Sequence, residues 1–219
     1  MTSQATAADG NKVGEYARKR YSGFFQRLVD RREQTLLKRL LAERFGGHIP
    51  HVVDIPCGYG RFHDLLKGFD CRITSLDSNP HMVARTRDTT QRSDGDRTAR
   101  ADVLEPLPAA AEDADVAFCV RLMQHIHDGD NRSLALRNLR GTGRPVLVSY
   151  YDRACIHAWT KRLASRLSGK PIRIRMISRR QFEGEAARAG LRVRRRRRLM
   201  PFIHAQSFAL LEPVAADAR

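Results

Sequence analysis

The sequence has few of the residues that hold metals or cross-link chains. It contains four cysteines, Cys57, Cys71, Cys119 and Cys155, and no two of them form a C-x-x-C pair. Structural zinc sites need clustered cysteine and histidine ligands, and disulfides belong to oxidising compartments. We therefore expect no metal site, and we predict that the four thiols are small buried side chains in a reducing compartment.

Long apolar segments are missing as well. No run approaches the ~18 apolar residues that a membrane-spanning helix needs. The first ten residues, MTSQATAADG, lack the charged-then-apolar order of a secretory signal. These two absences predict a cytoplasmic protein. With 219 residues, of which 42% are hydrophobic, the chain can bury a full core without disulfides.

Lysine is scarce, although the chain is strongly basic. Only six of the 40 basic residues are lysines, so the other 34 are arginines, and the formal net charge is +16. This charge favours anionic partners, which include nucleic acid, acidic or phosphorylated small molecules and anionic lipid headgroups. An arginine bias is equally typical of a GC-rich coding sequence, so the charge alone leaves the partner open.

Predicted strands and helices alternate along the chain. Apolar positions recur every three or four residues between 13 and 45, which predicts a helix that ends at Gly46. Further helices are predicted over 61–68, from Asn79, over 133–139 and over 178–189. Short strands are predicted at HVVDIP, CRITSLD, ADVLEPLP, DADVAFCV, RPVLVSYYD, LRVRRRRRLM and HAQSFALLE. This alternation predicts a doubly wound α/β architecture with a mostly parallel sheet.

The segment VVDIPCGYGRF joins the first predicted strand to a helix through a glycine-rich turn. Glycines let the backbone approach a ligand closely, and a helix N-terminus suits a carboxylate or phosphate. A dinucleotide fingerprint reads G-x-G-x-x-G, whereas only Gly58 and Gly60 are present here. Asp54 would repel a pyrophosphate but suits an amino group. The motif therefore favours the methionine half of S-adenosylmethionine over NAD.

Two more acidic residues follow in the order that such a cofactor requires. Asp77 closes the strand CRITSLD, where a carboxylate can accept hydrogen bonds from both ribose hydroxyls. Asp102 is predicted at the end of the next strand, where it can accept from the adenine amino group while the neighbouring backbone amide serves a ring nitrogen. An aspartate at a strand end is often only a helix cap, so the argument depends on all three carboxylates together.

These motifs resemble those of the class I S-adenosylmethionine-dependent methyltransferases, and D-I-P-C-G-Y-G-R is similar to the first motif of a small bacterial branch. The resemblance covers about residues 52–212 and implies a Rossmann-like seven-stranded sheet of order 3-2-1-4-5-7-6 with an antiparallel last strand. It also implies a methyltransferase domain over 48–219, preceded by an N-terminal helical extension or lid over 1–47. It assigns cofactor contacts to Asp54, Pro56, Cys57, Gly58, Gly60, Asp77, Ser78, Met82, Asp102, Val103, Val120 and Arg121.

A proton acceptor is needed only if the acceptor is a hydroxyl or a protonated amine. His125 is the candidate base, because it follows the fourth strand and imidazole titrates near neutrality; a histidine bonded to backbone explains it equally well. Arg121 could pair with the cofactor carboxylate, with an anionic acceptor or with nearby acidic residues. Tyr16 and Tyr21 lie in the predicted lid, where ordinary packing is an equal explanation.

Two arginine-rich segments have open interpretations. The basic stretch 154–176, which includes Trp159, is predicted to be an acceptor-side insertion, or else a solvated helix face with Trp159 in the core. The run 194–198 is favoured as an exposed edge strand that resists aggregation, with a phosphate-binding strip as the alternative.

The function predicted from these features is methylation of a small, anionic acceptor, such as a metabolite or an envelope glycan or lipid precursor. Nucleic acid, in particular RNA, is the alternative acceptor, and a non-catalytic S-adenosylmethionine-binding protein is a third reading. Peripheral contact with a membrane is compatible with the charge, and the sequence does not indicate an oligomeric state.

Overall fold

The computed structural model describes residues 24–90, 95–141, 145–156, 159–160, 165, 169 and 174–214. Its centre is one seven-stranded sheet of order β3-β2-β1-β4-β5-β7-β6. The strands are β1 (His51–Asp54), β2 (Arg72–Asp77), β3 (Arg97–Arg100), β4 (Val116–Cys119), β5 (Val146–Tyr151), β6 (Leu191–Arg198) and β7 (Gln206–Pro213). Strand β7 runs antiparallel to both of its neighbours, and β1 to β5 pair in parallel. The predicted fold class is confirmed.

Five α-helices of the described residues have defined bounds, and Ile156, Trp159, Thr160 and Ser165 are helical as well. The five helices are α1 (Phe24–Phe45), α2 (His63–Lys67), α3 (Pro80–Thr90), α4 (Gly129–Arg140) and α5 (Arg179–Arg188). Asp128 caps the start of α4 by accepting hydrogen bonds from two backbone amides, and Ser178 caps α5 in the same way with one. Helix α1 is followed by Gly46 with φ +73°, which confirms the predicted helix end.

Adjacent residues of each central strand point to opposite faces of the sheet, so two cores form. Val53 faces the core that α4 and α5 cover with Leu136 and Phe182. Val52 faces the other core, which α1 covers with residues such as Leu41. The sheet is therefore buried on both faces along β1, β4 and β5, as expected for parallel strands.

A buried ion pair joins the two helices on the first face. Arg132 of α4 donates from Nε and Nη2 to the two carboxylate oxygens of Glu185 in α5, at 2.8 and 2.5 Å. The remaining guanidinium nitrogen donates to the carbonyls of Ile126 and His127. Because every group of the pair is hydrogen-bonded, the charges are tolerated although both residues are about 1% exposed.

One predicted strand is wrong, and one of the two alternatives for Trp159 is excluded. ADVLEPLP forms turns, and the third strand is the preceding polar segment Arg97–Arg100. This edge strand pairs with β2 alone and needs no apolar side chains, so hydrophobicity does not reveal it. Trp159 is 76% exposed and does not enter the core. Residues 13–23 of the predicted first helix, with Tyr16 and Tyr21, lie outside the described residues, as do most basic side chains of 154–176.

The four cysteines are free and buried, as predicted. Within the described ranges, no group of three or more histidine, cysteine or acidic side chains is arranged to hold a metal ion. None of the helices described is long and apolar enough to cross a membrane. The cytoplasmic location stays a prediction.

Candidate functional site

The glycine-rich turn begins where β1 ends. Gly58 and Gly60 have φ values of +57° and +79°, which L-residues with a side chain adopt at a penalty. The turn is held from outside, because the Thr86 hydroxyl donates to the Gly58 carbonyl at 2.8 Å and the Cys57 amide donates to the Leu76 carbonyl at 2.8 Å. A Cβ built at Gly58 meets no atom within 4 Å. The turn is therefore a concave backbone surface, which we call the cradle, with open space in front of Gly58.

Asp54 is the last residue of β1 and is 2% exposed. Its Oδ1 atom is buried and has no hydrogen-bond partner. Burial, and then the negative charge of Asp77, raises the pKa of Asp54 well above its usual value. A buried carboxyl without a partner destabilises the fold unless a ligand supplies the missing donor. The Asp54 side chain thus has the chemistry of an acceptor for an ammonium group.

Asp77 closes β2 beside the same turn. Its Oδ2 atom accepts from the Gly58 amide and its Oδ1 atom from the Asn79 amide, both at 2.9 Å. Burial raises the pKa of Asp77, and these two hydrogen bonds oppose the rise. Each carboxylate oxygen can accept a second hydrogen bond. Asp77 therefore fixes the turn and keeps capacity for a pair of hydroxyl donors.

A pocket of about 320 Å³ lies against this turn. Eleven residues line it, and they come from the glycine turn, the end of β2, the start of α3 and the segment directly after β4. They are Pro56, Cys57, Gly58, Tyr59, Arg61, Phe62, Asp77, Asn79, Met82, Val120 and Arg121. Burial raises the pKa of the Cys57 thiol to about 12, so this group is a neutral wall of the pocket.

Six of the thirteen predicted site residues are not among those that line this pocket. Asp54 and Gly60 do not line it, although residues one or two positions away, Pro56, Tyr59 and Arg61, do. Asp102 is exposed in the turn after β3, where its Oδ1 atom accepts from the Leu104 amide, and Val103 is buried in the core next to α4. The other two are Ser78, which is exposed, and His125, which is exposed in a short 3-10 turn (Met123–His125). Their roles at the site, including that of His125 as a base, stay predictions.

Arg121 is held by helix α1. Its Nε and Nη2 atoms donate to the two carboxylate oxygens of Glu33 at 3.0 and 2.6 Å. The sequence left three partners open for Arg121: the cofactor carboxylate, an anionic acceptor or a nearby acidic residue. In the structure its partner is an acidic residue, Glu33. Arg61 donates to the same Glu33 at 2.5 Å and also pairs with Asp30. Burial would raise the pKa of Glu33, but its hydrogen bonds and the positive charges of the two arginines outweigh burial and lower it.

Sequence reasoning missed several residues of this arrangement. Tyr59 and Arg61 stand inside the glycine motif and could have been read from it, and Asn79 follows Asp77 by two positions. Glu33 and Gln206 carry no such signal. The Gln206 side-chain amide donates to Glu33 at 2.5 Å across 173 residues of sequence, and no local pattern reports a contact of that kind.

The arginine run of β6 lies on the edge strand of the sheet, as favoured, and its charges are only partly offset, because the six arginines of the strand share three carboxylates. Every arginine of the strand lies within 4.0 Å of a carboxylate oxygen, from Glu212, Glu43 or Asp152. Asp152, directly after β5, accepts from Arg196 and Arg198 at 3.1 and 3.0 Å. Each arginine of the run therefore has an ion-pair partner within the fold, which supports the edge-strand interpretation over a phosphate-binding strip.

Residues 52–145, which carry the turn, Asp54 and Asp77, match the family model described as a methyltransferase domain. A search of curated proteins finds no match. Among solved structures, the fold is similar to that of magnesium protoporphyrin IX methyltransferase (ChlM) from Synechocystis PCC 6803 with bound SAH. The TM-score is 0.72 at 13% identity, over 90% of this chain and 93% of that one.

Two further structures share the fold. A S-adenosylmethionine-dependent methyltransferase from Clostridium acetobutylicum ATCC 824 gives a TM-score of 0.69 at 10% identity, over 91% of this chain and 98% of that one. The O-methyltransferase NcsB1 from neocarzinostatin biosynthesis, in complex with SAH and 1,4-dihydroxy-2-naphthoic acid, gives 0.59 at 23% identity. That match covers 82% of this chain and 56% of the other.

Proposed function

We propose that this S-adenosylmethionine-dependent methyltransferase of the class I fold transfers its methyl group to a small, anionic acceptor. The observation that carries the methyl-donor part of the proposal is the pocket beside the glycine turn. At about 320 Å³ it lies at the small end of the range typical of small-molecule sites, about 300–1,000 Å³. The first motif, D-I-P-C-G-Y-G-R, supports a place in the small bacterial branch.

The residues around the turn fit the methyl donor. Asp54 would accept from its amino group, because Oδ1 is buried and lacks a partner. Asp77 would accept from the ribose hydroxyls with the lone pairs that the Gly58 and Asn79 amides leave free. Gly58 leaves room for a ligand where a Cβ would stand. Met82 and Val120 supply apolar walls for the adenosine and methionine parts.

The chain's own contribution to the reaction is alignment in a dry pocket. When bound, S-adenosylmethionine supplies a methyl group on a sulfonium, already activated for displacement. Phe62 and Val120 keep water away from one side of the pocket, and orientation in such a site lowers the barrier strongly. If the acceptor must lose a proton, His125 is the proposed base, and its place on the carboxyl side of β4 supports that role.

The negative charge of the acceptor is inferred from the chain around the same edge of the sheet. Between Arg153 and Phe182 the sequence contains nine basic residues and no acidic one, and such a stretch attracts anions. Two of the similar structures also concern small molecules by name, since one is a magnesium protoporphyrin IX methyltransferase and another was crystallised with 1,4-dihydroxy-2-naphthoic acid.

RNA is the second candidate acceptor, and the same basic stretch is the observation that favours it. The β6 arginines add less to it than their number suggests, because the six of them share three carboxylates. A phosphate-binding strip needs cations that are available to the backbone of the nucleic acid. The small-molecule proposal therefore stands first.

Methyl transfer from radiolabelled S-adenosylmethionine to fractionated cell extract tests this choice. The extract is divided into RNA, water-soluble small molecules and organic-soluble molecules, with the Asp54→Asn variant as the matched control. We expect label in a small-molecule fraction, in a product that binds an anion exchanger, and much less label with the variant. Label in the RNA fraction that ribonuclease releases would favour the second candidate.

A further inference from the structure

An apolar surface lies beyond the carboxyl ends of β5 and β6. It consists of Ile156, Trp159, Phe202 and Ile203, which are 60, 76, 71 and 56% exposed. We call these four residues the apolar patch. Single exposed hydrophobic residues are ordinary, but several large ones together mark an interaction site.

Two segments of the chain present the patch. The Ile156 amide donates to the Phe202 carbonyl at 2.8 Å, which joins the segment after β5 to the β6–β7 connection. Trp159 follows Ile156 by three residues and both are helical, so their side chains share one face. In the β6–β7 connection, Leu199 and Ala205 are fully buried, and the residues between them carry Phe202 and Ile203 outwards. The β6–β7 connection is thus fixed to the core by a buried residue on each side of Phe202 and Ile203.

Positive charge surrounds the apolar patch. The Arg198 guanidinium lies 5.9 Å from the centre of the Phe202 ring. Arg153 and Arg175 are exposed, and each is adjacent in sequence to the segments that form a small cluster around Cys155 and Ala205. Asp152 is the nearest acidic residue in the sequence, and it is buried between Arg196 and Arg198. No negative charge therefore opposes an anionic surface in the described part of this region.

We propose that the apolar patch docks this protein on an anionic lipid bilayer. Aromatic and aliphatic side chains at the tip of a surface, with arginines around them, are the pattern of interfacial membrane contact. The aliphatic members decide between lipid and nucleic acid, because isoleucine gains by leaving water for lipid and offers no ring on which a base can stack. Strands β5 and β6 end at this edge of the sheet, as do β1 and β2, so docking would turn the edge that bears the pocket towards the membrane.

The test uses the single tryptophan of the chain, Trp159. Full-length protein is mixed with vesicles of phosphatidylcholine alone or with phosphatidylglycerol, and binding is followed by co-sedimentation and by tryptophan emission. We expect binding to the phosphatidylglycerol vesicles, a blue shift of Trp159 emission, quenching by brominated lipid, and weaker binding in high salt.

Phe202→Asn removes apolar area at a position where φ is +64°, a conformation that asparagine tolerates. We expect it to weaken vesicle binding roughly tenfold or more, because burying a phenylalanine side chain is worth one to two decades of affinity. Val214→Ser is the matched control, since Val214 is 47% exposed outside the patch, and its binding should be unchanged.

Three results would overturn the proposal. One is equal binding to the two vesicle types, or binding without a change in Trp159 emission. Another is stronger binding to single-stranded RNA than to anionic vesicles, which would assign the patch to nucleic acid. The third is a dimer in sedimentation velocity that Phe202→Asn dissociates, which would assign the patch to a second copy of the chain.

Discussion

Asp54 and Asp152 stand at corresponding places, at the carboxyl ends of β1 and β5, and both are 2% exposed. Their surroundings are opposite. Asp152 accepts from two arginines and from the Ala154 amide, whereas Asp54 has a buried oxygen without a partner and a raised pKa. Asp152 is thus saturated with donors from the fold itself, whereas the unpartnered oxygen of Asp54 supports the proposed contact with the methyl donor.

Removal of Asp152 should have the largest effect on stability. Asp152→Ala leaves Arg196 and Arg198 about one-fifth exposed and without their shared carboxylate. We expect a loss of about 3 kcal/mol in the free energy of unfolding, as for a broken buried ion pair. Denaturant unfolding measures it. Glu43→Ala, which removes the exposed partner of Arg195 and Arg197, is the control and should change stability by less than about 1 kcal/mol.

Asp54→Asn should give the reverse pattern. We expect S-adenosylmethionine affinity to fall roughly ten- to hundredfold, because a hydrogen bond to a charged group contributes about 1.5–3 kcal/mol. Stability should not fall, since the variant replaces a buried carboxyl that has no partner. Calorimetric titration and unfolding together check both parts. Unchanged affinity would contradict the ligand contact proposed for Asp54. A stability loss like that of Asp152→Ala would show that Asp54 has the same structural role as Asp152.

Asp77→Ala combines both kinds of role and sharpens the comparison. Asp77 bonds the turn through Gly58 and is proposed to hold the ribose. We expect cofactor affinity to fall by about 1–3 kcal/mol, with some loss of stability. Titration with S-adenosylmethionine and with methionine separates the contributions, because a ribose contact leaves the weak binding of methionine unchanged. Equal loss for both ligands would point to collapse of the turn.

Gly58→Ala should have a smaller effect. The added Cβ meets no atom, so only the positive φ opposes it, at about 1 kcal/mol in the free energy of unfolding. Cofactor affinity should fall as well, because the Cβ enters the cradle. Gly47→Ala, where φ is not positive and a Cβ is also free of contacts, is the control for both measurements and should leave them unchanged.

The smallest expected effect is a pH dependence. Burial raises the folded-state pKa of Asp54, so the native state is penalised increasingly as pH rises from the usual pKa of the carboxyl towards the raised one, and the penalty is constant above it. The stability of Asp54→Asn relative to the natural chain should therefore increase from acidic to neutral pH. Unfolding of both proteins across that range measures the difference, and a flat or falling difference would contradict the burial of an unpaired carboxyl.

The sequence sufficed for features that depend on local pattern. Strands β1, β4 and β5 are buried on both faces, so their apolar runs predict them, and the turn from Asp54 to Gly60 has a recognisable spacing. Strand β3 was misplaced because its composition, RTAR, is set by an exposed edge. The pairing of Arg121 with Glu33 spans 88 residues, and the saturation of Asp152 depends on register between distant strands. Neither contact can be predicted from the residues that are neighbours in the sequence.

The single carboxylate of Glu33 also has a consequence for the order of folding. It joins helix α1 to the turn after β1, to the end of β4 and, through Gln206, to β7. Contacts so far apart in sequence form slowly, because the loop that they close must first be ordered. Helix α1 is synthesised early, but the contact between Glu33 and Gln206 can form only when β7 is in place. We therefore expect the wall of the pocket to be completed only at the end of folding.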